Sequence, residues 1–481
     1  VSCGHCVTAC PCGALSYKRE SDIVFKALND PKKIVIGFVA PAVRSVVATH
    51  YDLKHNEAMP FLAGILKCSK LGFDKIFDFT FAADLTIMEE TTEFLGRVAS
   101  GKKLPHFTSC CPGWINYVEK KYPELIENLS TCKSPQQMMG STVKSHYIKW
   151  AGLEDRKDDI FVVSIVPCIA KKDEATRKQF VKDGVRDVDA VLTTSELFEM
   201  INKTKIDTAS IDPQEYDAPY KQVSGAGVLF GVTGGVAEAA LRMAVEKITG
   251  KPLEKLDFNE VRGLEGIKEV EYDVNGTKVR LAVVNGLNNV DPILEQIKNG
   301  EKVSYDLVEV MTCPGGCIDG AGHPKPEGSQ ELTKRKNIIV ALDKESELRT
   351  SQDNPDIQKL YEDFYIKPNS DIAHDLLHTT YENRKRDDLD IIQKRAKDIS
   401  SPVDIKVCVD KSCSKKGSTK LMDEMRAKVK EYKLEQRIKI KPQLCKGHCE
   451  EEGIFVTVDG VRISEEKYKD LDFLFKEFEN K

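Results

Sequence analysis

Short apolar runs alternate with longer amphipathic stretches along most of this chain. Buried-strand patterns occur in KKIVIGFVAPAVR (32–44), FVVSIVPC (161–168) and VRLAVVNG (279–286), and helical patterns occur in TTEFLGRVAS (91–100) and VAEAALRMAVEKI (236–248). Strands that alternate with helices are typical of parallel sheets joined by crossover helices. The pattern therefore predicts an α/β fold in which the loops after the strands carry the chemistry.

The pattern changes at both ends of the chain and divides it into five segments. A polar connector ends near Pro31, and beyond the central region amphipathic, charged helices without a buried strand predict a helical wrap. A densely charged stretch ending in Ser-Ser-Pro predicts a helix and linker, and the last segment has its own strand, helix, strand and hairpin. The predicted segments are a small N-terminal module (1–30), a main domain (31–345), the helical wrap (346–384), the charged linker (385–404) and a small α/β domain (405–481).

Composition narrows the class of protein. A length of 481 residues predicts several modules, and a net charge of -5 with 41% hydrophobic residues predicts a soluble, slightly acidic enzyme with no bias toward nucleic acid. No apolar run is long enough to span a bilayer, so membrane insertion is not expected. The sequence begins at Val1 rather than Met, so whether a signal peptide or another domain precedes it is an open question.

The 15 cysteines lie in short clusters whose spacing favours metal ligation, with disulfides as a minor alternative. We therefore expect a cytoplasmic location. The most informative cluster is the CPGGC loop (313–317), where two thiols flank a backbone almost without side chains, and Gly320 and Gly322 extend that freedom. Together with Cys110 and Cys111 in TSCCPGW and Cys168 in VPCIAKK, it predicts an iron–sulfur redox site.

The adjacent Cys110 and Cys111 pose a geometric question. Neighbouring side chains point in divergent directions, so we expect one thiol to bind iron and the other to be free for proton transfer. A reference thiol pKa of about 8.5 is close enough to neutrality for that role. Lys171, three residues after Cys168, would place a cation beside the site, suited to anionic ligands such as cyanide or sulfide. An ordinary surface lysine is the alternative.

Two further cysteine groups lie near the chain ends. Cys3, Cys6 and Cys10 have the C-x2-C-x3-C-Pro spacing of the tail of a bacterial ferredoxin run, whose first cysteine would precede Val1. Since the last cysteine of such a run serves a second cluster, both 4Fe-4S clusters would be incomplete in this chain. A zinc knuckle is the alternative.

At the carboxyl end, two cysteine pairs can offer four thiolates to one 2Fe-2S cluster. They are Cys408 with Cys413 and Cys445 with Cys449. The arrangement resembles the thioredoxin-like 2Fe-2S ferredoxins, found alone or in subunits of NADH-oxidising complexes. A zinc ribbon is the alternative, although ribbons favour two-residue spacings. Three remaining cysteines, Cys12, Cys68 and Cys132, are predicted to be small buried side chains.

The central motifs resemble a known family. TSCCPGW (108–114), VPCIAKKDE (166–174) and EVMTCPGGCIDGAG (309–322) are similar in order and spacing to the three signatures of the FeFe hydrogenases. The resemblance covers most of residues 31–384, and residues 346–384 resemble the hydrogenase small subunit. Supporting stretches are FDFTFAADLTIMEETTEFLGR (77–97), CKSPQQMMG (132–140), GVTGGVAEAALR (231–242) and LLHTTY (376–381).

The resemblance implies a two-lobed domain that holds an H-cluster, a 4Fe-4S cubane joined to a two-iron unit with carbon monoxide, cyanide and azadithiolate. Carried over by motif, the ligands are Cys111, Cys168, Cys313 and Cys317, with Cys317 bridging both parts. Cys110 would exchange protons with the azadithiolate amine, and Lys171 would hydrogen-bond a cyanide. The remaining implied pocket residues are Pro41, Pro167, Gln136 and Met311.

A proton relay is also implied by the resemblance, from Cys110 through Glu90 and Ser130 to Glu93 near the surface. Glu90 and Glu93 lie three residues apart on one helical face. The alternative is an exposed acidic patch on a helix that starts near Leu85.

The function implied is reversible interconversion of protons plus electrons and dihydrogen. The terminal clusters would pass electrons to or from a ferredoxin, or an NADH-oxidising flavoprotein subunit in a multimeric complex, for which electron bifurcation is one option. Hydrogenase maturation proteins are further partners. A hydrogen sensor or iron–sulfur assembly factor of the same fold is the alternative, but such relatives usually lose Cys110 or the relay acids. Departures from the usual pattern, at Ala42, Val166 and Ala321, remove no ligand.

Overall fold

The chain forms two compact units, Val1–Asn383 and Arg384–Lys481. Each has its own hydrophobic core, as expected for a chain too long for one domain. The computed structural model describes residues 1–251, 253, 256–262, 266–274, 276–326, 328–384, 392, 395–396, 401–444, 453–463 and 465–479.

The described residues of the first unit form two four-stranded sheets and a short two-stranded hairpin. Its strands are β1 (Ile34–Val39), β2 (Lys75–Asp78), β3 (His106–Phe107), β4 (Ile160–Val166), β5 (Val181–Lys182), β6 (Val185–Arg186), β7 (Ala190–Thr193), β8 (Ile267–Val274), β9 (Thr277–Asn285) and β10 (Leu307–Met311).

One sheet has the order β2-β1-β4-β7 and is parallel throughout. The other has the order β3-β10-β9-β8, with parallel pairs except for the antiparallel β8–β9 pair. The apolar runs predicted as strands from residues 32, 161 and 279 form β1, β4 and β9. The predicted α/β class with parallel and mixed sheets is thus confirmed.

Helices pack around these sheets. They are α1 (His5–Ala9), α2 (Ser21–Leu28), α3 (Pro41–Tyr51), α4 (Ala58–Lys67), α5 (Thr80–Ser100), α6 (Pro112–Lys121), α7 (Pro135–Thr142), α8 (Ile148–Trp150), α9 (Ala170–Ala175), α10 (Thr194–Thr204), α11 (Gly225–Val228), α12 (Gly235–Thr249), α13 (Leu287–Lys298), α14 (Ser329–Glu345), α15 (Pro355–Leu360) and α16 (Asp371–Leu377), with π-helical turns at Val143–Tyr147 and Tyr361–Tyr365.

Helix α5 begins earlier than the sequence predicted, at Thr80 instead of near Leu85. The Asp78 carboxylate accepts a hydrogen bond from the Thr80 amide at 2.9 Å, which satisfies one of the free amides of the first turn. The first turn is buried together with the residues that follow it up to Thr91, so this part of the sequence lacks the polar face that usually marks a surface helix.

The segments at the edges of the predicted main domain pack on it. In α2, Val24 and Ala27 are buried in the core of the first unit, so residues 1–30 lie within that unit and are not a separate compact body. Helices α15 and α16 lie in the stretch predicted as a helical wrap, where Ile357 and Leu377 are fully buried.

The second unit combines a four-stranded sheet with helices. Its elements are β11 (Val403–Cys408), β12 (Ile438–Gln443), β13 (Val456–Val458), β14 (Val461–Ile463), α17 (Lys411–Lys415), α18 (Ser418–Glu431), α19 (Glu465–Lys469) and α20 (Leu471–Glu479). The sheet order is β12-β11-β13-β14, with β11 and β12 parallel and the last two pairs antiparallel. The predicted strand, helix, strand and hairpin are confirmed.

The second unit includes part of the predicted charged linker. Ile392 and Ala396, within the predicted charged linker, are buried in the core of the second unit.

In the described part of the chain, no helix combines the length and apolar character that crossing a bilayer requires.

Candidate metal centre and proton relay

A cavity in the first unit lies where strands of both sheets end. Strand β1 leads into Pro41, β4 into Pro167 and Cys168, and β10 into the CPGGC loop, so the chain turns toward the cavity after each strand. This is the edge of an α/β sheet at which ligands usually bind. The wall consists mainly of thiols, prolines and apolar side chains: Ala40, Pro41, Ala42, Phe79, Ala83, Cys110, Cys111, Pro112, Pro135, Val166, Pro167, Cys168, Lys171, Phe230, Met311, Thr312, Cys313, Gly316, Cys317 and Gly320.

The CPGGC loop packs directly on neighbouring backbone. Gly316 has a φ of 76°, and a Cβ there would lie 2.4 Å from the Thr233 amide nitrogen. A Cβ at Gly320 would lie 2.4 Å from the Pro167 carbonyl oxygen. Glycine is therefore required at both positions, for conformation at the first and for space at both. The loop forms a wall without side chains between two thiols, which fits a bulky inorganic group.

The four thiols predicted to bind iron all line this cavity. Burial and the neighbouring Cys111 raise the pKa of Cys168 to about 12. Burial and neighbouring thiols also raise the pKa of Cys313 and Cys317. Thiols that disfavour each other's ionisation this strongly become thiolates together only beside a strong positive charge, which bound iron would supply. The donor set thus fits an iron–sulfur group.

Cys110 and Cys111 face different neighbours, as their adjacency predicted. The Cys111 thiol donates to the Thr312 hydroxyl at 3.3 Å, and its sulfur also accepts from the Thr312 amide at 3.5 Å. Cys110 is buried, and burial followed by the charge of Glu90 raises its pKa well above the ordinary value. Cys110 is therefore a protonated thiol at neutral pH, with an acid as its principal electrostatic neighbour.

Lys171 is buried at the cavity wall, so the alternative of an ordinary surface lysine is wrong. Its Nζ donates to the Cys110 carbonyl oxygen at 3.2 Å and to the Glu174 carboxylate at 3.1 Å. Gln136, predicted to line the pocket, lies behind this lysine. The Gln136 amide donates to the carbonyl of Lys171 and to Glu174, both at 3.0 Å. Pro41, Pro167 and Met311 lie on the wall itself.

Glu90 lies on helix α5 and is an electrostatic neighbour of Cys110. Its Oε1 accepts from the Ser109 amide at 3.1 Å and from the Ser109 hydroxyl at 3.4 Å. Its Oε2 is buried with no hydrogen-bond partner among the residues that the structure describes. Burial raises the pKa of Glu90 to about 7. The alternative of an exposed acidic patch is wrong, since Glu90 is only 2% exposed.

Glu93 lies one turn farther along the same helix. The Ser130 hydroxyl donates to its carboxylate at 3.0 Å, and the Thr131 amide donates at 3.0 Å. Arg97, which was not among the predicted site residues, donates to the same carboxylate at 2.6 Å. The four-residue spacing of Glu93 and Arg97, which places them on one helical face, could have predicted this ion pair.

The charge around Glu93 differs from that around Glu90. Burial acts to raise the pKa of Glu93, but His106, Arg97 and the Ser130 hydroxyl together lower it below the ordinary value. Burial lowers the pKa of His106 to about 3, so this ring is neutral near neutral pH and Arg97 supplies the lasting positive charge. Glu93 is therefore an ionised acid with several donors.

Among the four predicted relay residues, Glu90 is an electrostatic neighbour of Cys110, and Ser130 donates to Glu93. The N-terminal cysteines differ in exposure. Cys3 is half-buried, Cys6 is exposed, and the Cys10 sulfur lies 3.7 Å from that of Cys12. The predicted burial of Cys12 is wrong because it lies in an exposed N-terminal segment, whereas Cys132 is fully buried. Cys68 is half-buried.

In the second unit, Cys408 and Cys413 are both buried, at the end of β11 and within α17. Their predicted partners Cys445 and Cys449 lie outside the described residues.

Comparison with known proteins places these features in context. The family model "Iron only hydrogenase large subunit, C-terminal domain" matches residues 33–321, and "Iron hydrogenase small subunit" matches residues 329–384. The second match begins before residue 346, the predicted start of the helical wrap.

Three relatives illustrate the range of similar proteins. The chain is 43% identical over 393 residues to the NADP-reducing hydrogenase subunit HndD of Solidesulfovibrio fructosivorans, which covers 80% of this chain and 66% of that protein. It thus spans slightly less than two thirds of that relative. It is 30% identical over 398 residues to the cytosolic Fe-S cluster assembly factor narfl of Danio rerio, covering 79% and 95% of the two chains. An apo [FeFe]-hydrogenase HydA1 variant from Chlamydomonas reinhardtii has a TM-score of 0.67 at 39% identity, covering 77% of this chain and 100% of that chain.

Proposed function

Since the chain belongs to the iron-only hydrogenase family, we propose that it catalyses the reversible interconversion of protons plus electrons and dihydrogen at an H-cluster. One observation carries the proposal: the cavity is lined by Cys111, Cys168, Cys313 and Cys317, and by Cys110 as a fifth thiol. A simple electron carrier needs the four ligands but has no use for a buried, protonated thiol beside an acid of raised pKa.

The four ligand thiols would hold the cubane, with Cys317 also bound to the two-iron unit. When bound, this group supplies the two-electron redox chemistry that amino-acid side chains lack. The buried Lys171 ammonium would donate to an anionic ligand such as cyanide. Pro41, Phe79, Phe230 and the other apolar wall residues would keep bulk water away, which strengthens the electrostatic interactions inside the cavity.

Side chains of the protein would transfer the protons. The Cys110 thiol is protonated at neutral pH, so it can donate a proton into the cavity and then take one from Glu90. Glu90 is suited to this exchange because its pKa of about 7 makes both protonation states accessible near neutrality. Ser109 and Ser130 supply hydroxyls beside the two acids, and Glu93 would receive protons from the protein surface.

Electrons would reach the cavity through the terminal clusters. Cys3, Cys6 and Cys10 would contribute to 4Fe-4S clusters, and Cys408, Cys413, Cys445 and Cys449 would hold a 2Fe-2S cluster. The parallel β11–β12 pair and the antiparallel hairpin β13–β14 support a thioredoxin-like domain.

We propose a ferredoxin or an NADH-oxidising flavoprotein subunit as the redox partner. The name of the NADP-reducing relative supports a nicotinamide-linked complex. A cytoplasmic location is part of the same proposal.

An iron–sulfur assembly or hydrogen-sensing role is the second candidate, favoured by the likeness to an assembly factor. That role would need bound clusters but no proton delivery. The buried Cys110 and Glu90, with the half-buried Glu93 one turn farther along the helix, support catalysis over this candidate.

The test is to mature the full chain with the two-iron cofactor and to measure hydrogen evolution from a reduced viologen dye. Infrared bands of bound carbon monoxide and cyanide are recorded in parallel. The proposal predicts both signals. Bands without turnover would favour the sensing or assembly role, and iron-loaded protein with neither signal would contradict the H-cluster assignment.

A further inference from the structure

The N-terminal Cys3–Cys6 turn packs against two cysteine-bearing loops of the cavity wall. Gly4 is buried with a φ of 85°, and a Cβ there would lie 2.3 Å from the Cδ1 atom of Ile169, the residue after Cys168. His5 projects its Nε2 to 3.1 Å from the Cys313 sulfur. The packing of Gly4 on Ile169 needs glycine, both for its positive φ and for space.

The direction of the His5 bond follows from the chemistry of a ligated thiol. A cysteine bound to iron has lost its proton and can only accept hydrogen bonds, so the imidazole Nε2 must carry the hydrogen. We propose that His5 is a positioning residue for the cubane: its Nε2–H donates to the Cys313 thiolate and raises the reduction potential of the H-cluster. This inference rests on the proposed function, since it needs Cys313 to be a ligand.

The physical reason is electrostatic. Reduction adds negative charge to the cluster and its sulfur ligands, and a hydrogen bond to a ligand sulfur stabilises the reduced form more than the oxidised form. Cys111 has a comparable neighbour in Thr312, whose hydroxyl lies 3.3 Å from its sulfur. The donor to Cys313 differs because it comes from the N-terminal segment.

The position of His5 links this hydrogen bond to the proposed electron-transfer route. His5 stands between Cys3 and Cys6, which are predicted to bind the N-terminal cluster. The residue that would adjust the potential of the electron acceptor thus belongs to the same turn as the electron port. An N-terminal turn displaced from the wall would leave the cubane with a lower potential.

His5 can be replaced without a large effect on folding. Its side chain is only half-buried, and the Thr8 hydroxyl bond at 3.0 Å uses the His5 carbonyl, which any residue provides. His5→Leu removes the donor, whereas His5→Gln keeps an N–H group that can reach the sulfur. His55→Leu makes the same change at a histidine paired with Glu345 elsewhere in the unit.

The experiment is infrared spectroelectrochemistry of the matured full chain. The carbon monoxide and cyanide bands report the redox state of the H-cluster alone, free of signals from the terminal clusters. We expect the midpoint potential to move to more negative values in His5→Leu, to move less in His5→Gln and to stay at the wild-type value in His55→Leu. Gly4→Val should push the turn away from Ile169 and shift the potential in the same direction as His5→Leu.

A wild-type midpoint in His5→Leu overturns the inference, and so does a shift in Gly4→Val without one in His5→Leu, because packing alone would then set the potential. These results differ from failure of the proposed function, in which the wild-type protein would show no carbon monoxide or cyanide bands at all.

Discussion

Glu90 and Glu93 lie one turn apart on helix α5, but their surroundings move their acidities in opposite directions. Burial raises the pKa of Glu90 to about 7. The pKa of Glu93 is lowered, because His106, Arg97 and the Ser130 hydroxyl together outweigh its burial. Among the residues that the structure describes, Arg97 pairs with the outer carboxylate and no cation pairs with the inner one, so the two acids on one helix face differ.

Glu90 and Glu93, at the inner and outer ends of the proposed relay, can therefore have different roles in proton transfer. An acid without a paired cation changes protonation near neutral pH and can exchange a proton with the Cys110 thiol. An acid held by an arginine stays ionised and attracts protons from the surface. Environments that separate the pKa values of neighbouring acids are typical of sites that move protons.

The largest expected effect comes from removing the thiol at the inner end. Cys110→Ala should retain the infrared bands of the bound cofactor but lower hydrogen evolution by about 10²–10⁴-fold, because the last proton donor is lost. Cys68→Ala, at a half-buried cysteine away from the cavity, should keep wild-type turnover. Full activity in Cys110→Ala would show that the division of roles between Cys110 and Cys111 is wrong.

Next in size is the inner acid. Glu90→Gln keeps the shape and the bond from Ser109 but cannot release a proton, so hydrogen evolution should fall by about 10²-fold. Glu89→Gln is the matched control, since Glu89 is equally buried on the same helix but pairs with His378 at 3.0 Å. Equal losses in the two variants would mean that helix stability, not proton transfer, is being measured.

Glu90 should also leave a signature in the stability of the protein. Its folded-state pKa of about 7 exceeds the unfolded value of 4.5, so the folded state binds more protons between these pH values and the free energy of unfolding falls as pH rises. This difference in pKa lowers the free energy of unfolding by about 3 kcal/mol, and the full loss is reached above pH 7. Denaturant unfolding at pH 5 and pH 8 should show Glu90→Gln losing less stability than the wild type. Identical losses would contradict the raised pKa.

The smallest effect concerns the outer end. Arg97→Met removes the cation beside Glu93 and should raise the pKa of that acid, shifting the acidic limb of the activity profile to higher pH with a several-fold loss of rate, roughly what a weakened proton donor costs. Arg97→Lys keeps the charge and should shift the profile less. If both variants gave the wild-type profile, Glu93 would not be on the proton route.

Sequence reasoning predicted the parts of the site that depend on residue type and local spacing. The thiols of the CPGGC loop, Cys111 and Cys168 follow predicted strands or lie in tight motifs, and parallel strands bring such loops to one sheet edge. The α/β class followed from the apolar runs for the same reason.

What the sequence did not provide depends on long-range packing. The burial of Glu90 and the missing cation beside it are set by residues distant in the chain, which periodicity does not reveal. The contact of His5 with Cys313 spans 308 positions and depends on a glycine turn docking on Ile169. Gln136 was expected on the cavity wall but supports Lys171 from behind.

The most direct test of the whole account is hydrogen isotope exchange, because it needs the H-cluster and the proton relay but no electron partner. The matured protein is placed under H₂ in D₂O, and the formation of HD and HDO is followed by mass spectrometry. We predict rapid exchange by the wild type and a loss of at least about 10²-fold in Cys110→Ala. Matured wild-type protein that shows the cofactor bands but produces no HD would contradict the account.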